Sequence, residues 1–177
     1  YRQMVGISSI GDTTVVTDKW MMGTRNSFFV GIVATLLATA LGTVAALGLS
    51  RPHMPFKAVL MAILISPMIV PLIITAAGMF FFYSKIGLTH TYLGLILAHT
   101  ALGTPFVVIT VTATLTGFDT NLIRASQSLG ADTMRTFFKV IMPLILPGVI
   151  SGGLFAFITS FDEVVIVMFI GSVEQIT

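Results

Sequence analysis

The sequence predicts an all-α fold of the polytopic membrane type, and three observations carry that prediction. The chain of 177 residues is 55% hydrophobic and only 9% charged, against about 45–50% apolar and about 25% charged in a soluble domain. That is too little charge to coat a water-soluble enzyme, and too little polarity for a disordered chain. The charges also act as punctuation, leaving uncharged stretches at 27–50, 58–84, 86–118 and 140–161. Each is long enough to cross a bilayer core, which takes about 20 helical residues. Lastly, these runs lack the apolar–polar alternation of barrel strands, so helices must satisfy the backbone in lipid.

The net charge of +2 comes from nine Lys/Arg against seven Asp/Glu, with no basic run of the kind that binds nucleic acid. The chain has no cysteine, which removes disulfides, thiolate catalysis and cysteine metal sites. It starts at Tyr1 and is read as a piece of a longer protein. Residues 1–25 form an extramembrane tail, with Trp20 placed as an interfacial anchor.

The first span, 27–50, carries small residues at Gly31, Ala34, Ala38, Gly42 and Ala45. This stripe lets a neighbouring helix approach closely. The second stretch, 58–84, contains Pro67 and Pro71, and 86–118 contains Pro105. Each proline removes a backbone donor, so a kink is expected at each. Two prolines four residues apart suggest a broken helix, the kind that lines a substrate path in transporters or simply bends the architecture. Phe80, Phe81, Phe82 and Tyr83 close that stretch as an aromatic belt, with a cation–π contact to a passing amine as the sharper alternative. Between Lys85 and His90, Gly87 marks a tight link. His99 stands alone in its span and reads as a neutral packing residue, because no second ligand lies one turn away to support a metal.

The connection 117–139 is polar, charged and long. Phe118, Asp119, Thr120 and Asn121 offer helix-start chemistry. Leu122, Ala125 and Leu129 follow at helical spacing, and Gly130 ends that helix. Asp132 or Thr133 caps a second helix whose apolar face is Met134, Phe137, Phe138 and Ile141. The last span, 140–161, runs into Asp162 and Glu163. Acidic groups at membrane depth face protein or water. They either end the helix at the interface or draw a cationic solute into a pathway; Asp162, continuing the helix, is the better placed for a cavity. The run 164–173 is too short to span and suits a re-entrant or interfacial segment, or the top of the preceding helix. Arg51, Lys57, Arg124, Arg135 and Lys139 fall on one side of this topology, and Lys85, Arg2, Lys19 and Arg25 on the other, so charge alone does not orient the chain.

One pattern is more specific. Arg124-Ala125-Ser126, three residues, Gly130, nine residues, then Val140-Ile141-Met142-Pro143 resembles the signature loop of ABC importer permeases, Glu-Ala-Ala, three residues, Gly, nine residues, Ile-x-Leu-Pro. The spacing matches throughout, and Ala125, Gly130 and Pro143 are identical. Arg124 replaces Glu, Ser126 the second Ala, Val140 Ile and Met142 Leu. Further segments, Ser66-Pro67-Met68-Ile69-Val70-Pro71, Leu97-Ala98-His99-Thr100 with Pro105-Phe106, and Ala156 to Glu163, resemble the spermidine/putrescine branch.

The resemblance implies a type I importer transmembrane core over 26–177, with residues 1–25 as a periplasmic tail. Four full spans and a cytoplasmic coupling loop at 117–139 would be present, and the first and last spans of the family pattern missing. It implies a multi-pass subunit of the bacterial inner membrane that works with two ATP-binding cassette subunits, a second permease subunit in a heterodimer, a periplasmic solute-binding protein and membrane lipid. No Gly-x-x-x-x-Gly-Lys-Ser/Thr sequence is present, so ATP and Mg would bind the partner ATPase and this chain would hold no cofactor. The coupling residues would be Leu122, Arg124, Ala125, Leu129, Gly130, Ala131 and Pro143. Arg124 and Arg135 could meet ATPase carboxylates. Asp162, Glu163, Pro67, Pro71 and Phe81 would line the pathway for a polyamine or similar small charged solute. The alternatives are a permease for an anion or an opine- or amino-acid-like solute, or an integral membrane enzyme. No paired nucleophile and base, and no set of metal ligands, supports the enzyme.

Overall fold

The computed structural model describes residues 12–51, 53–117, 119 and 121–171, with side chains from Met21 onward. The expected roles of Trp20, Phe118 and Thr120, the far tail, and the end of the 164–173 run lie outside the described side chains. The described chain is helical: α1 (Asp12–Leu49), α2 (Lys57–Ile69), α3 (Leu72–Ile86), α4 (Tyr92–Thr116), α5 (Asn121–Ser128), α6 (Thr133–Thr136), a π-helical turn (Phe137–Ile141), α7 (Met142–Asp162) and α8 (Val165–Ile170).

Among the described residues, three continuous helical runs are long and apolar enough to cross a membrane: Met21–Leu49, Tyr92–Thr116 and Thr133–Asp162. The expected fourth span is not one helix, because α2 and α3 meet at 103°. Pro71 causes the break. It stands at the N-cap of α3, and Val70 before it is extended at φ −71, ψ 135, the conformation that proline imposes on its predecessor. The expected kink at Pro67 does not break α2. The missing donor of Pro67 orphans the carbonyl of Ile63, and the hydroxyl of Ser66 donates to that oxygen at 2.7 Å. Pro105 is likewise contained within an unbroken α4, where it is buried between packed neighbours.

The first span also begins earlier than 27, since α1 starts at Asp12 and the boundary at residue 25 falls inside a helix. The second half of the 117–139 connection is not a separate helix either. α6 leads through the π-helical turn directly into α7.

The core is the seam between α1, α4 and α7. Along it Tyr92 Oη donates to Asn26 Oδ1 at 3.3 Å. Gly103 packs against Ala38 and Ala156, Val107 between Gly42 and Gly152, and Thr114 against Gly148. The order of these pairs makes α1 parallel to α4 and α7 antiparallel to both. A methyl group on Gly42 would lie 2.6 Å from Val107 Cβ, and one on Gly152 would lie 2.8 Å from Val107 Cα. Only glycine permits that approach, as the small-residue stripe of α1 anticipates. Ala34 and Ala38 of the stripe are buried, and at its end Ala46 rather than Ala45 faces the core.

His99 is buried in this seam at 2% exposure. Its Nδ1 shares a 2.8 Å hydrogen bond with Ser160 Oγ of α7. That is the packing role expected of it.

α8 lies against α3, and His90 ties its end to the α3–α4 turn. The His90 N–H donates to Ile170 O and Nδ1–H to Gly171 O, both at 2.8 Å. Gly87 ends α3 in the left-handed region at φ 72.

Candidate functional site

The predicted coupling residues and the acidic pair form two groups at opposite ends of α7, with Pro67, Pro71 and Phe81 apart from both on the α2–α3 segment. With 21 residues in α7, the two groups stand roughly 30 Å apart. Since α1 and α4 run parallel, the ends of both, the start of α7 and the connection 51–57 share one end of the bundle. That is the grouping on which the charge count was based.

At that end lies the loop. α5 is amphipathic and has no buried residue. Leu122 is 44% exposed and Leu129 88% exposed, with Ala125 and Arg124 also exposed and Ala131 half-buried. Asp119 opens the helix by accepting from the Asn121 N–H at 2.9 Å. Gly130 closes it at φ 81. The N–H of Ala131 bonds Ser126 O at 3.1 Å and that of Gly130 bonds Gln127 O at 2.9 Å, the paired bonds of a Schellman end. Asp132 caps α6, accepting from Arg135 N–H at 2.7 Å; Thr133 is the first helical residue. Pro143 sits exposed at the second position of α7, directly after the π-helical turn. Leu122, Ala125 and Leu129 thus form an apolar face on a short helix that the bundle does not cover.

At the other end, α7 stops at Asp162 and the backbone of Glu163 is extended at φ −85, ψ 100. Asp162 is exposed, whereas Glu163 is 8% exposed. Glu163 Oε1 accepts from the Ile166 N–H at 3.0 Å and so caps α8. Asp162 and Glu163 part ways because the helix ends between them.

Three aromatic rings, Phe28, Phe157 and Phe161, cluster toward the same end of α7 as Asp162. Phe28 and Phe161 have centroids 5.2 Å apart, and Phe157 and Phe161 stack at 5.7 Å. The spacing of Phe157 and Phe161 on one helix face was readable from sequence, whereas the approach of Phe28 from α1 was not.

Pro67 is half-buried inside α2 and Pro71 exposed at the break. Phe81 joins Ala77 and Phe80 of α3 and Val165, Met168 and Phe169 of α8 around an open apolar recess of about 540 Å³. Phe81 and Phe82 are exposed, and Tyr83 turns into the core. Among the described residues, no group of three or more His, Asp or Glu is placed to hold a metal.

Residues 38–176 match the family described as binding-protein-dependent transport system inner membrane component. The chain is 31% identical over 157 residues to the spermidine/putrescine transport system permease protein PotC of Haemophilus influenzae, covering 89% of this chain and 61% of that protein. It is 29% identical over 153 residues to PotC of Escherichia coli, covering 86% and 58%. It is 28% identical over 138 residues to the sulfoquinovosyl glycerol transport system permease protein SmoH of Agrobacterium fabrum, covering 78% and 48%. The chain therefore spans about three-fifths or less of the length of these relatives.

Proposed function

As the chain belongs to the family of binding-protein-dependent transport system inner membrane components and is a multi-pass membrane protein, we propose that it forms part of the translocation pathway of an ATP-driven importer. The observation that carries this reading is the uncovered apolar face of α5, with Leu129 at 88% exposure. A soluble ATPase with an apolar cleft would take that face as a helix in a groove. ATP and Mg would bind there, and this chain would take no cofactor. Arg124 and Arg135 would meet carboxylates on the rim of the cleft. The full machine would contain two such ATPases, a second permease chain in a heterodimer and a periplasmic solute-binding protein.

The solute is a polyamine or similar cation in this reading. Support comes from the PotC relatives and from Asp162, an exposed carboxylate that follows Phe161 of the aromatic cluster in sequence. A carboxylate attracts an ammonium group, and rings contribute cation–π stabilisation of about 0.5–2 kcal/mol. SmoH, named for transport of sulfoquinovosyl glycerol, supports a second reading in which the solute is not a cation.

Purification of the chain with its neighbours, followed by uptake into vesicles, tests both levels. ATPase and solute-binding protein should co-purify, and labelled spermidine should enter with ATP. Purification without any ATPase would sink the importer reading. Uptake of an anionic solute in preference to spermidine would leave the importer and replace the substrate.

A further inference from the structure

Ser126 is where this chain departs from the Ala of the signature pattern, and its hydroxyl is in use. Ser126 Oγ–H donates to Ile123 O at 2.9 Å. Its oxygen lies 2.9 Å from Thr136 Oγ1. With the serine proton committed to Ile123, the hydroxyl of Thr136 is the donor across the gap.

Thr136 is only 2% exposed. It is the last residue of α6 and stands directly before the π-helical turn into α7. The bond therefore joins the exposed α5 to the root of a spanning helix. An eight-residue helix without buried residues is marginal alone, and the turn at Gly130 has open space around it.

We propose that the Ser126–Thr136 hydroxyl pair clamps α5 to the root of α7, so that Ser126 is a positioning residue for coupling ATP hydrolysis to transport. The proposal rests on the importer reading and deepens it. A push on the apolar face of α5 would pass through Ser126 to Thr136 and on into α7. An alanine at 126 has no acceptor there, and the push would be absorbed by rotation about the turn at Gly130.

The test uses the assembled importer with Ser126→Ala and Ser126→Thr. Two quantities are read: solute transported per ATP hydrolysed, and amide hydrogen exchange across residues 121–128. Ser126→Ala should lower transport per ATP roughly three- to tenfold, with assembly and basal ATP hydrolysis unchanged, and should speed exchange in α5. Ser126→Thr, which keeps the hydroxyl, should restore both. Wild-type coupling and exchange in Ser126→Ala would overturn the clamp. Loss of ATPase from the Ser126→Ala complex would overturn the coupling role, because the pair would then serve docking or folding. If the wild-type chain itself recruits no ATPase, the importer reading fails and the coupling role with it. The exchange arm judges the clamp independently of that result.

Discussion

The imidazole of His99 and the hydroxyl of Ser160 meet at 2.8 Å in the buried seam between α4 and α7. Each is the other's cross-helix polar link, with Gly31 of α1 closing the third side. Ser160→Ala strands the buried His99 Nδ1. Interhelical bonds of this type contribute about 0.6 kcal/mol on average and up to about 1.7 kcal/mol, and a stranded buried group costs about 1–3 kcal/mol. Ser160→Ala should lower the unfolding midpoint of the purified protein by an amount corresponding to roughly 1 kcal/mol. An unchanged midpoint would mean that the bond contributes nothing to packing.

Glycine substitutions in α1 and α7 should separate by position. A Cβ at Gly42 or Gly152 meets Val107, whereas Gly48 faces open space. Gly42→Ala and Gly152→Ala should each destabilise by about 1–3 kcal/mol through overpacking. Gly48→Ala should be neutral, or stabilise by up to about 1 kcal/mol from helix propensity. Yield and thermal stability in one detergent give the ranking, and equal behaviour at 42 and 48 would refute the close-packed seam.

Gly130 makes a different demand. Nothing lies within 4 Å of a Cβ there, yet its φ is +81, so any penalty is conformational. Gly130→Val should cost about 1–2 kcal/mol of local backbone strain and uncouple the loop, while Gly130→Asn, which tolerates this region, should cost much less. Transport should fall in the valine variant with normal solute binding by the periplasmic protein and a normal amount of complex. Full transport in Gly130→Val would count against the assignment of the loop.

The acidic pair should divide by role. Glu163→Ala removes a cap from α8 and should cost about 1 kcal/mol, seen as less assembled complex. Asp162→Asn, at an exposed position, should leave assembly intact and lower uptake per complex if the solute is a cation. Unchanged per-complex uptake in Asp162→Asn would remove it from the pathway and weaken the cationic reading with it.

The helical spans and the loop were legible because charge placement and glycine spacing are local facts. Gly130 as a helix stop and Asp132 as a cap were readable for the same reason. The contrast between Pro71, which breaks a helix, and Pro67 and Pro105, which do not, was not legible. It depends on whether a neighbouring hydroxyl or a packed helix compensates for the lost donor. The burial of Glu163 and its bond to Ile166 N–H were not legible, because they depend on α7 ending at Asp162. The meeting of Ser126 with Thr136, and of Phe28 with Phe161, is set by tertiary approach and leaves no periodic trace.

The π-helical turn at Phe137–Ile141 holds one spare residue at the root of α7. Such a turn contains about one residue more than the α-helical turn it replaces. Deleting a single residue there would restore regular winding and leave everything before it at nearly its present bearing, because the same circle is closed with one residue fewer. A deletion in the regularly wound part of α7 would instead swing everything before it by about 100° around the helix axis. The five residues thus absorb a change of length that the rest of the helix would convert into a change of aim for the face of Leu122, Ala125 and Leu129.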